Sequence, residues 1–415
     1  MKPGDIDLND PDSFRDGVPH DYFKLLRTEA PVSWNEEREP PGQPGFWVIT
    51  KYDDLKFISR NPDLFSSTIG GTSIFTPPEE DMMGLRALML NMDPPQHVKY
   101  RALVNRGFTP RMIQKLEPHI RDMTRQIIDR VAERGECDFV ADIAAELPLQ
   151  VICEMMGVPL EDRKYIYDLS NLMIGFDDPE FQHSREDGKR AGTEMFLYAA
   201  KLGERARQHP ADDLATVLVS ADVDGEKLPE LEFNSFFLLL MVAGNETTRT
   251  VTTHGMRLLM EHPEQRARLL ANPSLIPSAV EEILRVSPPV NYFRRTATRD
   301  TEIRGVKISA GQKVAMWYPS VNRDEDIFPD GDRFDVARSP NEHLSFGIGE
   351  HFCLGANLAR LELKVVFEEL LRRLPDIELA GPVRRLRSNF INGVKEMRVR
   401  FTPRPAEPAR RAAAS

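Results

Sequence analysis

The sequence predicts a mainly α-helical domain with a small β region, and the pattern of apolar residues carries that prediction. Between Gln96 and Val286 apolar residues recur at three- and four-residue spacing in segment after segment. Between residues 290 and 320 the period drops to two, with turn signals at Arg304-Gly305 and Ala310-Gly311. No Gly/Ser linker or charge block divides the 415 residues. A single domain over 1–415 is therefore expected, with residues 1–19 and 404–415 as flexible ends.

The elements follow in order. A short amphipathic helix is expected near His20 to Ala30, a hairpin strand over Gly45 to Tyr52, and a helix over Asp53 to Arg60. Residues 66–88 hold Gly70-Gly71 and Pro77-Pro78 without clean periodicity, which reads as a long mobile loop. Helices are expected over Gln96–Arg106, Pro110–Arg134, Ala141–Met156 (despite Pro148), Glu161–Ile174, Arg190–His209 and Asp212–Ser220. Gly175 to Asp187 is acidic and loop-like, and Asp222 to Pro229 turns at Asp224-Gly225. The longest helix spans about Glu230 to Glu261, followed by shorter ones near Glu264–Ala271 and Pro277–Val286. A polar meander, Arg323 to Arg338, leads to a glycine-rich loop and a helix over Ala356–Leu371; the last stretch is partly strand-like.

Composition narrows the function. The chain is 41% hydrophobic and 29% charged, as soluble globular proteins are. A net charge of −11 argues against non-specific nucleic-acid binding. Cys137, Cys153 and Cys353 are scattered, which suggests a reducing compartment and no disulfide framework. The start of the chain has no signal-peptide pattern. The longest apolar run, Phe236 to Val242, is far short of the ~20 residues that span a bilayer. A soluble, cytoplasmic protein is expected.

Three motifs carry chemistry. The loop Phe346 to Gly355, FGIGEHFCLG, places Cys353 at the start of a helix. The helix dipole and free N–H groups there would lower the thiol's pKa and keep it anionic and able to bind metal. Gly349 permits a tight turn, Gly355 lets backbone approach the sulfur, and Phe346 forms an apolar lid. The plain alternative is a buried free cysteine; a zinc site lacks a second Cys or a spaced His cluster. The long helix contains Ala243-Gly244-Asn245-Glu246-Thr247-Thr248, where Gly and Thr weaken helix propensity. A Thr hydroxyl bonding the carbonyl four residues back can open a helix into a groove. Glu282 and Arg285 lie within reach on one helix face, a weak signal alone.

Taken in this order, the motifs resemble those of the cytochrome P-450 superfamily, and the likeness runs from about residue 20 to 403. It implies the P-450 fold, with a haem b between the long helix and the helix after Cys353. Cys353 would be the axial thiolate and iron ligand, with Phe346, Gly355 and Ala243 beside the haem. His97, Arg101, Arg295 and His351 fall where the family holds the propionates, although Arg294 leaves the choice of arginine open by one residue. Thr247 would be the alcohol and Glu246 the acid of a proton relay. Glu282, Arg285 and Arg338 would form a buried structural cluster. Leu239, Met241, Val242, Val290, Phe390 and Ile391 are candidate substrate contacts, and all are apolar.

The implied activity is a monooxygenase acting on O2 and a hydrophobic substrate. Ferredoxin and ferredoxin reductase would supply electrons, because no GxGxxG fingerprint follows a strand. Arg106, Arg111 and Lys115 could form a basic patch for the ferredoxin. The chain looks like a soluble bacterial type without a membrane anchor. The stretches Pro210–Asp213, Asp222–Leu228, Ala243–Arg249 and Arg387–Lys395 resemble hydroxylases of sterol side chains (cholestenone-like) and branched lipids. Terpenoid, alkane or fatty-acid hydroxylation stays open as the alternative. A non-catalytic haem sensor would not need the Glu246-Thr247 pair.

Overall fold

The computed structural model describes residues 1–37, 44–223 and 226–406. In chain order the first elements are α1 (His20–Glu29), β1 (Val32–Asn35), β2 (Phe46–Ile49), α2 (Tyr52–Arg60), β3 (Phe65–Ser66), α3 (Glu79–Arg86) and α4 (Gln96–Asn105). Next come α5 (Pro110–Lys115), α6 (Glu117–Ala132), β4 (Glu136–Asp138), α7 (Glu146–Met155), α8 (Arg163–Ile174), α9 (Arg185–Gln208), α10 (Leu214–Val219), β5 (Asp222–Val223) and β6 (Glu226–Lys227). The central helix α11 (Glu230–Glu261) is followed by α12 (Pro263–Ala271), α13 (Ile276–Val286), β7 (Tyr292–Ala297), β8 (Thr301–Ile303), β9 (Val306–Ile308), β10 (Lys313–Trp317) and α14 (Tyr318–Val321). The chain closes with α15 (Ala356–Arg373), β11 (Glu378–Arg385) and β12 (Val394–Arg400).

Helix α11 organises the helical layer, with α7, α8, α9, α13 and α15 packed against it. It is buried over most of its 32 residues, so its pattern is apolar nearly all round rather than a narrow stripe. Gly255 permits the closest crossing. A Cβ there would collide with the Phe367 ring of α15 and lie 2.9 Å from Ile283 of α13. The β region is a five-stranded sheet, ordered β1-β2-β10-β7-β3, in which β10 runs parallel to β2 and the other pairs are antiparallel. A second sheet, β11-β12-β4, closes the C-terminal end.

Several expectations are corrected. Residues 1–19 are anchored: Leu8 and Phe14 are buried, and Phe14 stacks on Trp317 with centroids 5.6 Å apart. Residues 66–88 are not one loop. They contain the eight-residue α3, too short and too little buried to print a helical period on the sequence; Met82 is 2% exposed and Met83 74%. The helix expected over 110–134 breaks after Lys115, because Pro118 is tolerated only in the first turn of α6. Pro148 lies in the first turn of α7 for the same reason. Helix α9 starts at Arg185, ahead of the expected Arg190, because Ser184 and Asp187 form a capping box. The Asp224-Gly225 turn and the tail from 407 lie outside the described residues.

The meander before Cys353 is pinned from within. Glu282 and Arg285 have no exposure, and their side chains pair at 2.7 and 2.8 Å. Every N–H of the Arg285 guanidinium is used: besides Glu282 it donates to the carbonyls of Asn322, Gly331 and Arg333 at 2.9, 2.7 and 3.0 Å. Arg338 reaches Glu282 at 3.1 Å, and the Asp335 N–H and Asn341 amide also donate to it, at 3.0 and 3.1 Å. The cluster expected between Glu282, Arg285 and Arg338 is therefore assembled, with meander carbonyls as its outer wall. Glu282→Ala would leave two guanidinium groups without their carboxylate, at a cost of roughly 3–5 kcal/mol. Thermal unfolding of the purified variant should begin well below wild type; an unchanged melting temperature would contradict the role given to this cluster.

Candidate functional site

The site forms where α11 and the start of α15 face one another. Two positive-φ glycines shape the loop, Gly347 and Gly349. At Gly349 a Cβ would stand 2.5 Å from the Ser59 carbonyl oxygen, so the turn and the close approach both require glycine. The loop closes on itself when the Cys353 N–H donates to the Phe346 carbonyl at 2.8 Å. Phe346 is buried under the Arg360 guanidinium, which lies 4.5 Å from its ring centroid and pairs with Glu281 at 2.8 Å. Gly355 behaves differently from expectation. Its φ is −82°, and a Cβ there would meet no atom within 4 Å, so no close backbone approach demands it.

Cys353 itself is half-buried. Burial pushes its thiol up, against the pull of the Gly355 and Ala356 N–H groups and of Arg101 and Arg360. The helix-end N–H groups favour the thiolate as the sequence suggests, and burial works against them. A metal cation on its free side would ionise the sulfur, because metal binding displaces the proton. Cys137 and Cys153 are buried in the core, where burial pushes both thiols up to about 12.

Two arginines and two histidines converge beside the loop. His97 is 1% exposed, with its ring centroid 4.1 Å from that of His351. Arg101 donates to the Phe352 carbonyl, Arg295 is buried, and His351 meets the Ser67 hydroxyl at 3.2 Å. None has a carboxylate in ion-pair contact among the described residues. Burial, then Arg101 and Arg295, lower His97 to about 4; burial, then Arg295, His97 and Arg101, lower His351 to about 2. Burial also lowers Arg295 and Arg101. Two arginines beside two neutral imidazoles, with His97 Nδ1 unpartnered, are a receptor for anionic groups. This donor set fits the two propionates of a haem whose iron faces Cys353. Arg294, the neighbouring candidate, points the other way on β7. It is spent on the carbonyls of Ile69 and Ser73 and the hydroxyls of Thr76 and Thr296.

On the opposite wall, Leu239, Ala243 and Thr247 share one face of α11 at four-residue spacing. Ala243 is exposed and Gly244 and Thr247 are half-exposed, in a helix that is otherwise largely buried. They form a cradle walled by a small side chain and helix backbone. The Thr247 hydroxyl donates to the Ala243 carbonyl at 2.7 Å. Glu246 turns elsewhere: it is 2% exposed, pairs with Arg249 and accepts from the Thr250 hydroxyl at 3.2 Å. Arg249 continues to Asn171 and Tyr167 on α8, at 2.9 and 3.4 Å. Burial raises the Glu246 carboxyl, and Arg249 and Thr250 oppose it. Acid and alcohol are adjacent in sequence, but the structure does not bond one to the other.

Thr248 hydrogen-bonds Glu362 of α15, a buried carboxyl that burial pushes up to about 8. Sequence reasoning missed Glu362; its signal is a glutamate set among Leu358, Leu361, Val365 and Val366, on a face that packs inward. It also missed Arg249, Asn171 and Tyr167, which sit on two separate helices and leave no local pattern.

Of the apolar candidates, Val242, Val290 and Phe390 pack around buried Ile391, Ile174 and Leu386, with Phe181 beside them. Val290 and Ile391 pair across a β-bridge. Leu239 is half-buried against the main core. Met241 has no exposure and belongs to that core, because its place on the helix turns it away from Ala243 and Thr247; it is not a pocket wall.

Comparison with known proteins agrees with this geometry. Residues 41–376 match the family model described as Cytochrome P450. A steroid C26-monooxygenase of Rhodococcus jostii is 44% identical over 96% of this chain and 85% of its own length. A methyl-branched lipid omega-hydroxylase of Mycobacterium tuberculosis is 43% identical over 94% of this chain and 92% of its own. A Mycobacterium marinum cytochrome P450 solved with pseudoionone superposes with a TM-score of 0.90, at 38% identity, over 97% of this chain and all of that one. With the family's cysteine loop and central helix both in place, the chain belongs to the cytochrome P450 family.

Proposed function

We propose that this chain is a haem-thiolate monooxygenase that hydroxylates a sterol or methyl-branched lipid near the end of an apolar chain. The observation that carries this reading is the juxtaposition of the Ala243–Thr247 cradle with the apolar group around Val242, Val290, Phe390 and Ile391. The side chains that meet there are apolar, which favours a hydrocarbon terminus. The steroid C26-monooxygenase and the methyl-branched lipid omega-hydroxylase, by their names, act on such termini, which supports the same class here.

Cys353 would hold the iron, and His97, Arg101, Arg295 and His351 would take the propionates. When bound, the haem supplies an iron whose thiolate ligand favours cleavage of dioxygen, with one oxygen atom entering the substrate and the other leaving as water. The chain's own part is to position substrate and deliver protons. The Thr247 Oγ1 proton is committed to the Ala243 carbonyl, so the hydroxyl must swing off that acceptor before it can donate into the cradle. Its lone pairs remain free to hold a water there. Glu246 is restrained by Arg249, and proton transfer from it would require that pair to open. Electrons would arrive from a ferredoxin, itself reduced by a ferredoxin reductase, in the cytoplasm. Arg111 and Lys115 are exposed on α5, which packs on α15, so they stand near the helix that begins at the cysteine. The Arg106 side chain lies outside the described residues.

A titration of the holoprotein with lipids tests the substrate class. Cholestenone or a methyl-branched fatty acid should shift the Soret band, and a compact charged aromatic acid should not. Binding of the aromatic acid with no response to either lipid would contradict the proposal; pseudoionone alone would point to the terpenoid alternative.

The ligand has its own test. Reduced protein with carbon monoxide should show the far red-shifted Soret band of a thiolate ligand, retained in Cys137→Ser and Cys153→Ser and lost in Cys353→His. A histidine-type spectrum in freshly prepared wild type would rule Cys353 out.

Thr247 and Glu246 should separate in coupling experiments. Thr247→Ala should keep haem content, substrate binding and consumption of reduced nicotinamide through a surrogate redox system, while its output moves from alcohol to hydrogen peroxide. Glu246→Gln should slow oxygen consumption itself, by up to the ~10²–10⁴-fold that a positioned acid contributes. Equal product yield per nicotinamide in Thr247→Ala and wild type would remove Thr247 from the relay.

A further inference from the structure

The apolar group beside the cradle has a roof, and one carboxylate holds that roof down. Residues 175–184 run between α8 and α9 over the turn 386–393 that joins β11 to β12. Asp178 lies in the first of these stretches and is 1% exposed. Its Oδ2 accepts from the Arg387 backbone N–H at 3.0 Å and meets Lys395 Nζ at 2.9 Å; its Oδ1 accepts from the Glu180 N–H at 3.0 Å. Lys395 also pairs with Glu180 at 2.7 Å, and Arg387 donates to the Asp177 carbonyl at 2.7 Å. The two stretches are thus tied at a buried acid, with the Arg387–Asp177, Lys395–Glu180 and Arg384–Glu180 contacts around it.

Each tied stretch carries pocket side chains. The Asp178 carbonyl accepts from the N–H groups of Phe181 and Gln182 at 2.9 and 3.0 Å, which sets the turn that directs Phe181. Phe181 is folded onto Gly175, where a Cβ would lie 2.6 Å from the Phe181 Cβ. Below, the turn that presents Leu386, Phe390 and Ile391 is strapped to the segment before β7: Asn291 N–H donates to Phe390 and Asn392 N–H to Pro289, at 2.8 and 2.9 Å. The floor is fixed by backbone, and Asp178 is the buried charged contact between it and the roof.

We propose that Asp178 is a positioning residue that determines specificity: by clasping 175–184 onto 386–393 it sets the depth of the apolar pocket, and so which carbon of an extended lipid reaches the chemistry. The proposal rests on the reading of that pocket as the lipid site. Burial acts to raise the Asp178 carboxyl, but the Arg387 N–H, Lys395 and the Glu180 N–H outweigh it and hold it below the ordinary carboxylate range. The clasp is therefore charged throughout the neutral range. Its contribution to stability is present above the ordinary carboxylate pKa and is lost only as pH falls through the lowered folded value.

The test uses holoenzyme and cholestenone. Asp178→Asn and Lys395→Met should each keep the carbon monoxide spectrum and haem content. Each should weaken Soret-shift binding by about tenfold, near the effect of losing one buried charge-assisted contact. KM should rise more than kcat falls, and the alcohol should spread from one chain position to several. The double variant should be little worse than either single one, because both act on the same pair. If Asp178→Asn fails to yield holoprotein, Lys395→Met decides by the same readouts, since Lys395 lies at the rim of the clasp. Val290→Phe, which fills the pocket, separates the two claims. If Val290→Phe blocks binding while Asp178→Asn or Lys395→Met keeps wild-type affinity and a single product, the clasp is overturned. If Val290→Phe binds cholestenone as wild type does, the pocket reading falls and takes the clasp with it.

Discussion

A thiol enclosed by protein gives up its proton reluctantly, because the anion it leaves must be stabilised without bulk water. Cys353, half-buried at the head of α15, meets part of that cost. The N–H groups at the head of α15, with Arg101 and Arg360, pull its pKa down, and burial overrides them. The helix-end N–H groups and the two arginines favour the anion, and a bound cation would complete its ionisation. The neighbouring cluster has the opposite need: Arg101 and Arg295 are cationic, His97 and His351 are neutral donors beside them, and none has a carboxylate in ion-pair contact among the described residues. One ligand answers both needs, with a metal at its centre and two carboxylates on its edge. Haem has that charge pattern, and the two halves of the site are complementary to its two halves.

The scaffold can be understood from this demand. A loop that must present a sulfur at a fixed place cannot be allowed to drift, and the stretch leading into it has little regular structure. Arg285 compensates by taking two meander carbonyls and that of Asn322 just before it, while Glu282 holds it. Arg360 does similar work on the other side, stacked on Phe346 and paired with Glu281. Opposite, α11 is kept thin by the small Ala243 and the back-bonded Thr247, while Gly244 makes room for Ile152 of α7. The acid beside Thr247 is tied to α8 through Arg249, so the restraint on Glu246 and the position of α8 are linked by direct contacts.

Much of this was legible in the sequence because it is local. The cysteine loop, the Ala243–Thr248 run and the Glu282-Arg285 pair each depend on residues a few positions apart, and the longest helix has the bounds its periodicity predicted. What escaped was set by tertiary contact. Met241 and Val242 are equally apolar, and only the phase of α11 against its neighbours sends one to the core and the other to the pocket. Glu362 looks like an ordinary helical glutamate until α11 covers it. Leu8 and Phe14 read as a loose end because their partner Trp317 lies some three hundred residues away. For Cys353 the dipole argument captured one influence, the N–H groups at the helix end, and missed the opposing one, burial, which depends on tertiary packing.

The central claim is that this protein splits dioxygen and places one of its atoms on an apolar chain. The most direct test incubates the holoenzyme with cholestenone, a ferredoxin system and isotopically labelled dioxygen, and weighs the product by mass spectrometry. The account predicts one labelled oxygen in a side-chain alcohol from labelled dioxygen, and none when the label is carried by water. An alcohol labelled from water, or consumption of oxygen with no labelled product from any apolar lipid offered, would contradict it.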